Sequence, residues 1–179
     1  MLKNKQRFSN PIIKDEIEIL HDTKEKLVFR TYLEAGGGQS GIHYHTKITE
    51  KFKGIEGELT VMVNGEKKKL KPNSETVIKP YDTHQFLNAS GEKVIFEVEI
   101  TPGLNIINGL KIFYGLAKDG KVYKNGLPKN IFYTAVGLKM LDAYVINVPL
   151  RFQKMGISIL AAIAKKIGVE QKLMSRYCN

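Results

Sequence analysis

The chain has 179 residues, the length of one domain or of one domain with an appendage. Its composition, 42% hydrophobic and 26% charged, excludes a wholly disordered, collagen-like or coiled-coil chain. The net charge of +10 is uneven, because residues 1–100 carry +1 and residues 101–179 carry +9, which indicates two parts with different roles.

Short strands dominate the first part. The pattern predicts strands over residues 16–20, 26–34, 41–45, 49–53, 58–63, 76–79, 81–88 and 94–100. Asn64-Gly65 predicts a two-residue hairpin, because a type I′ turn needs positive φ at both central residues. Many short strands with tight turns indicate a mainly β sandwich or barrel. We place its end near Thr101-Pro102-Gly103, which predicts a barrel over residues 1–101 and a helical extension over residues 102–179.

Three histidines belong to the predicted strands. His43 and His45 are two residues apart, so on one strand they point to the same face. On the next strand, Glu50 and Phe52 alternate with lysines that belong in water, so both should face inward. An inward carboxylate needs a cation or a hydrogen-bond network, and a divalent metal shared with the imidazoles would supply one. His84, from an opposing strand, would complete a set of three nitrogens and one carboxylate.

These residues also form a recognisable motif. Gly37, five residues, His43, one residue, His45, four residues, Glu50, six residues and Gly57 resemble the first motif of the cupin superfamily. Residues 73–88 resemble its second motif, which retains His84 and Asn88. In that motif Asn73 and Tyr81 replace the usual glycines, and Lys79 replaces the usual proline.

The resemblance covers roughly residues 10–101 and implies a double-stranded β-helix, the jelly-roll barrel of cupins, with a metal in its interior. It implies that His43, His45, Glu50 and His84 bind one divalent ion of Fe, Mn, Ni, Co or Zn, among which the sequence does not choose. The alternative is a core in which these histidines only hydrogen-bond one another. His21 is interpreted as a solvated turn residue.

An open metal site in an apolar cup is typical of catalysis. The resemblance therefore favours a metal-dependent enzyme, dioxygenase-like, acting on a small oxygen-bearing organic molecule, with isomerase or lyase activity as alternatives. Phe52 and Phe86 are predicted to lie near the substrate. A hypothesis from another class is a non-catalytic cupin that binds or senses a small molecule.

The second part has helical periodicity. Helices are predicted over residues 104–117 and 131–148, and a third starts at Pro149. Its apolar face comprises Phe152, Met155, Ile159, Ile163 and Ile167. We expect the helices to pack on the barrel, on each other or across a homodimer, for which residues 131–138 are a candidate interface.

The basic helices are compatible with two other roles. They could lie on an anionic membrane or contact nucleic acid. A solvated lysine face is the simpler interpretation, and no apolar stretch is long enough to span a bilayer.

The cellular compartment is inferred from two absences in the sequence. Cys178 is the single cysteine and has no partner for an internal disulfide, which favours a reducing compartment. The N-terminal residues include charges but no apolar run behind them, so we expect no signal peptide and a cytoplasmic location.

Overall fold

Two antiparallel sheets face each other in the computed structural model, which describes residues 6–39 and 41–178. The strands are β1 (Arg7–Asn10), β2 (Asp15–Asp22), β3 (Leu27–Leu33), β4 (His43–His45), β5 (Thr49–Glu56), β6 (Leu59–Val63), β7 (Glu66–Leu70), β8 (Glu75–Ile78), β9 (His84–Leu87), β10 (Val94–Thr101) and β11 (Ala143–Val145). The sheet orders are β1-β2-β3-β10-β5-β8 and β11-β4-β9-β6-β7. This arrangement confirms the predicted mainly β fold. Residues 1–5, which belong to the N-terminal segment predicted to lack a signal peptide, lie outside the described residues.

Local turn chemistry agrees with the sequence at the β6–β7 hairpin. Asn64 and Gly65 have φ values of 51° and 85°, as the type I′ prediction requires. A glycine is needed for another reason at Gly54 in β5, where an added Cβ would clash with the carbonyl oxygen of Lys71.

Phenylalanine rings fill the space between the sheets. Phe52, Phe86 and Phe96 pack edge to face with centroids 5.2 to 6.1 Å apart. Phe52 and Phe96 are fully buried, and Phe86 is 8% exposed. The inward alternation predicted for Glu50 and Phe52 matches the burial pattern of β5.

The helices follow the barrel strands as α1 (Ile106–Lys118), α2 (Ile131–Leu141), α3 (Leu150–Lys166) and α4 (Val169–Tyr177). The α1 helix packs on β1 and on α2, while α3 packs on α2 and α4. The prediction of one helix over residues 131–148 was wrong. The α2 helix ends at Leu141, Asp142 takes a left-handed φ of 49°, and β11 then pairs with β4.

The α3 helix packs through small side chains. Ala161 and Ala164 are its buried residues, at 2% and 0% exposure. The apolar face predicted from the sequence points the other way, with 42% to 57% of each residue exposed; we call it the apolar stripe, comprising Phe152, Met155, Ile159, Ile163 and Ile167. Among the described residues, no helix combines the length and the hydropathy needed to cross a bilayer.

Candidate metal centre

The predicted ligands come from both sheets. His43 and His45 lie on β4 and His84 lies on β9 of the same sheet, where His43 is directly opposite His84 in the strand register. Glu50 lies on β5 of the other sheet. One ring nitrogen from each of the three histidines lies within 4.8 Å of the others.

Glu50 lies beside this group of imidazoles. Its Oε2 atom is 2.9 Å from Nε2 of His84, and its Oε1 atom is 3.8 Å from Nε2 of His45. His84 is fully buried, and His45 and Glu50 are 7% and 8% exposed. The structure therefore brings all four residues together, and their assignment as ligands stays a prediction.

Backbone carbonyls hold the outer nitrogen of each imidazole. The pairs are His43 Nδ1 with Gly41 O at 3.3 Å, His45 Nδ1 with Leu141 O at 3.0 Å, and His84 Nδ1 with Asp82 O at 3.3 Å. A carbonyl only accepts hydrogen bonds, so each contact favours the tautomer with its proton on Nδ1. That tautomer leaves a lone pair on Nε2, which is the atom a metal would bind.

The inner nitrogens fit a cation. Nε2 of His45 and Nε2 of His84 are buried and make no hydrogen bond of acceptable geometry. A lone pair facing the Glu50 carboxylate at 2.9 Å is unfavourable unless a positive charge lies there. A proton on His84 or a metal ion shared by the group would supply that charge, and three imidazoles with one carboxylate suit a first-row divalent ion.

The pKa values of the group follow from burial and mutual contact. Burial would raise the pKa of Glu50, but His45 and His84 outweigh it and lower that pKa to about 2. Burial, together with the neighbouring imidazoles, lowers the pKa of His43 to about 3. Burial also lowers the pKa of His45. For His84, burial acts to lower the pKa, but the contacts with Glu50 raise it overall.

Asp142 is a positioning residue that sequence reasoning missed. Its carboxylate, 3% exposed, accepts hydrogen bonds from the backbone N–H groups of Thr46 at 2.6 Å and Lys47 at 2.8 Å. Its carbonyl lies 3.2 Å from Nδ1 of His45, beside that of Leu141. The only signal was an isolated carboxylate in an apolar segment, so nothing in the sequence linked it to β4.

The two phenylalanines predicted near a substrate lie beneath His84. The centroid of the Phe52 ring is 6.3 Å from that of the His84 ring, and the centroid of the Phe86 ring is 6.1 Å from that of Phe52. Of the three imidazoles, only that of His43 is partly exposed. His21 is exposed at the end of β2, away from this group.

Two positions of the second motif where glycine is usual have a left-handed backbone conformation here, although neither residue is glycine. Asn73 has a φ of 65° and Tyr81 a φ of 72°. Asparagine tolerates this conformation, whereas tyrosine is strained in it. The Tyr81 N–H donates to the carbonyl oxygen of His45 at 2.7 Å, so the turn still supports the ligand strand.

Comparisons with known proteins agree with the barrel. A family model described as a cupin domain matches residues 29–101. A sugar phosphate isomerase of the cupin superfamily from Silicibacter pomeroyi is 22% identical, with 56% of this chain and 73% of that chain covered and a TM-score of 0.51. An RmlC-like cupin from Shewanella frigidimarina is 17% identical, with 57% and 87% covered and a TM-score of 0.50.

A further solved structure aligns with a shorter part of the chain. An uncharacterised Klebsiella pneumoniae protein with a double-stranded β-helix domain is 24% identical, with 48% and 75% covered and a TM-score of 0.44. No curated protein matches the chain in sequence. At these identities the likeness concerns the fold, and it confirms the predicted double-stranded β-helix with a helical extension.

Proposed function

Because residues 29–101 belong to the cupin superfamily, we propose that the protein is a metal-dependent enzyme of dioxygenase type acting on a small oxygen-bearing organic molecule. His43, His45, Glu50 and His84 would hold one divalent ion of Fe, Mn, Ni, Co or Zn. The proposal includes a cytoplasmic location, a homodimer formed through residues 131–138, and division of the chain into a barrel and an extension at residue 101.

One observation carries the proposal. The Nε2 atoms of His45 and His84 are buried without hydrogen bonds beside the Glu50 carboxylate, while backbone carbonyls occupy the opposite nitrogens of both rings. A core that used these histidines only for mutual hydrogen bonds would satisfy those inner nitrogens instead. The arrangement therefore supports a bound cation over the purely structural alternative.

The residues around the site have separable roles. A bound divalent ion would supply Lewis-acid chemistry and, if redox-active, would relay electrons from the oxygen-bearing guest to dioxygen, the co-substrate that this reaction consumes. Glu50 would balance the charge of that ion, and the carbonyls of Leu141 and Asp142 orient the His45 ring. Phe52 and Phe86 exclude water below His84, which leaves the partly exposed side at His43 for the substrate.

Metal analysis of the purified full chain tests the site. We expect about one divalent ion per chain, lost in His43→Ala and retained in His21→Ala, because His21 is an exposed histidine outside the group. Equal metal content in both variants would contradict the ligand assignment. Oxygen uptake over a panel of small hydroxylated and carbonyl compounds then tests the reaction, with the same two variants.

A non-catalytic binding or sensing cupin is the second candidate. The packed phenyl rings of Phe52, Phe86 and Phe96 favour it, because they fill the interior below the histidines and limit the size of a guest. Stoichiometric metal without oxygen uptake or any other turnover of the panel would favour this function. Ligand-induced thermal stabilisation that His43→Ala abolishes would identify its small molecule.

A further inference from the structure

The apolar stripe of α3 is a large hydrophobic surface turned away from the protein. Its five residues follow one another at intervals of three or four positions, so they form a continuous line along the helix. Between 42% and 57% of each residue is exposed. Single exposed apolar residues are ordinary, but a contiguous line of five bulky ones indicates a surface that is covered in use.

The α3 helix has apolar residues on two opposite sides. Ala161 and Ala164 are buried and Ile157 and Leu160 are half-buried on the side toward the protein, yet a second set of large aliphatic and aromatic side chains faces outward. A surface helix of a globular protein normally turns its bulky side chains inward. Internal packing alone therefore does not account for the choice of residues on the outward face.

Exposed apolar residues continue past the N-terminal end of the stripe. Val145, Ile146 and Val148, in the segment leading to α3, are 43% to 50% exposed. The Gln153 side chain ties this segment to the first turn of α3 by bonding to both backbone groups of Val145 and to the carbonyl of Val148. The segment thus extends the apolar surface as part of a fixed structure.

The charges on α3 identify what could cover the stripe. The helix contains Arg151, Lys154, Lys165 and Lys166, and residues 150–166 contain no acidic residue. A second copy placed face to face would bring these cations toward an identical set with no carboxylate on either helix to pair with them. An anionic lipid surface offers both an apolar layer for the stripe and negative headgroups for the cations.

We propose that α3 is an interfacial membrane anchor, with the apolar stripe inserted at the level of the lipid headgroups and its cations against anionic lipids. The helix lies parallel to the bilayer and does not cross it, in agreement with its length and hydropathy. This inference is independent of the metal site, because none of the proposed ligands belongs to α3.

Vesicle co-sedimentation of the full chain tests the proposal. We expect pelleting with phosphatidylcholine vesicles that contain phosphatidylglycerol, little pelleting with phosphatidylcholine alone, and weaker binding as salt is raised. Ile159→Ser combined with Ile163→Ser should weaken binding about tenfold or more. Lys165→Gln combined with Lys166→Gln should also weaken it about tenfold or more, at roughly fivefold per cation.

Matched controls separate the stripe from general hydrophobicity and charge. Tyr123→Ser removes a side chain that is 56% exposed elsewhere on the extension, and Lys67→Gln with Lys68→Gln removes two exposed cations from β7. Both should bind anionic vesicles within about twofold of the unaltered chain.

Three outcomes would overturn the proposal. The first is no binding to anionic vesicles, and the second is equal losses in the stripe and control variants. The third is a stable dimer by light scattering that Ile159→Ser with Ile163→Ser converts to a monomer, which would assign the stripe to a second copy of the chain. Because the altered residues are solvent-exposed, circular dichroism of each variant should match the unaltered chain.

Discussion

Replacing Asp142 should damage both the barrel and the proposed metal centre. The carboxylate accepts charge-assisted hydrogen bonds from two backbone N–H groups, those of Thr46 and Lys47, at 2.6 and 2.8 Å. Each such bond contributes about 1.5 to 3 kcal/mol, and Asp142→Ala leaves both donors without their acceptor. Alanine is also less suited to the left-handed φ of 49° at this position. We therefore expect the free energy of unfolding to fall by about 3 to 6 kcal/mol.

Urea denaturation of the apo protein measures this loss, and competition with a chelating dye measures the second effect. The Leu141 and Asp142 carbonyls hold the His45 ring, so metal affinity should fall about 10- to 100-fold if the imidazoles bind a metal as proposed. Asp119→Ala is the matched control. That carboxylate accepts hydrogen bonds from three side chains but lies on the surface, so its loss should destabilise the fold much less than Asp142→Ala and leave metal affinity unchanged.

The reasoning would be refuted by a loss below about 1 kcal/mol in Asp142→Ala, or by equal effects of the two substitutions. Asp142→Asn refines the test, because an amide oxygen can still accept one of the two bonds. Its stability should lie between those of the unaltered chain and Asp142→Ala.

Three other expectations concern stability alone. Burial raises the pKa of Asp15 to about 7, so the folded state favours the protonated carboxyl. This preference contributes about 4 kcal/mol to the free energy of unfolding, a contribution that is complete below about pH 4 and is lost as pH rises through 7. Urea denaturation across pH should show this slope and Asp15→Asn should remove it; an unchanged slope in the variant would assign it to other groups. Tyr81→Gly should raise the melting temperature slightly, because glycine relieves up to about 1 kcal/mol of strain in the left-handed backbone. A melting temperature below that of the unaltered chain would show that Tyr81 is not strained. Gly54→Ala should lower the free energy of unfolding by more than about 2 kcal/mol, because the added Cβ meets the carbonyl oxygen of Lys71. Gly91→Ala is the control and should be nearly neutral, because the space around Gly91 is open. Equal losses in the two variants would show that the close approach at Gly54 does not limit stability.

Strand periodicity made much of the site predictable from local sequence. Residues two apart on a strand must share a face, which placed His43 with His45 and placed Glu50 with Phe52. Lys51 and Lys53, which alternate with Glu50 and Phe52, then determined which face of β5 is inward. The Asn64-Gly65 turn was equally local, because its conformation depends on the two residues themselves.

Features determined by distant contacts were not predictable in this way. The apolar run after Ile131 contains no proline before Pro149, so local propensity continues the helix past its true end at Leu141. Thr46 and Lys47, which directly follow β4, donate to the Asp142 carboxylate across more than 90 residues of sequence, and these bonds override that propensity. Likewise, periodicity grouped the residues of the apolar stripe correctly, but it does not tell which face of α3 meets the protein.

The pairing of β11 with β4 has a consequence for dissecting this molecule. The family match ends at Thr101, yet the outer edge of the histidine-bearing strand is covered by residues 143–145. Excising the barrel at that limit would expose a bare row of amide and carbonyl groups at β4, a template for adhesion between molecules. A shortened gene intended to yield the barrel should therefore retain the chain at least through the strand that covers this edge.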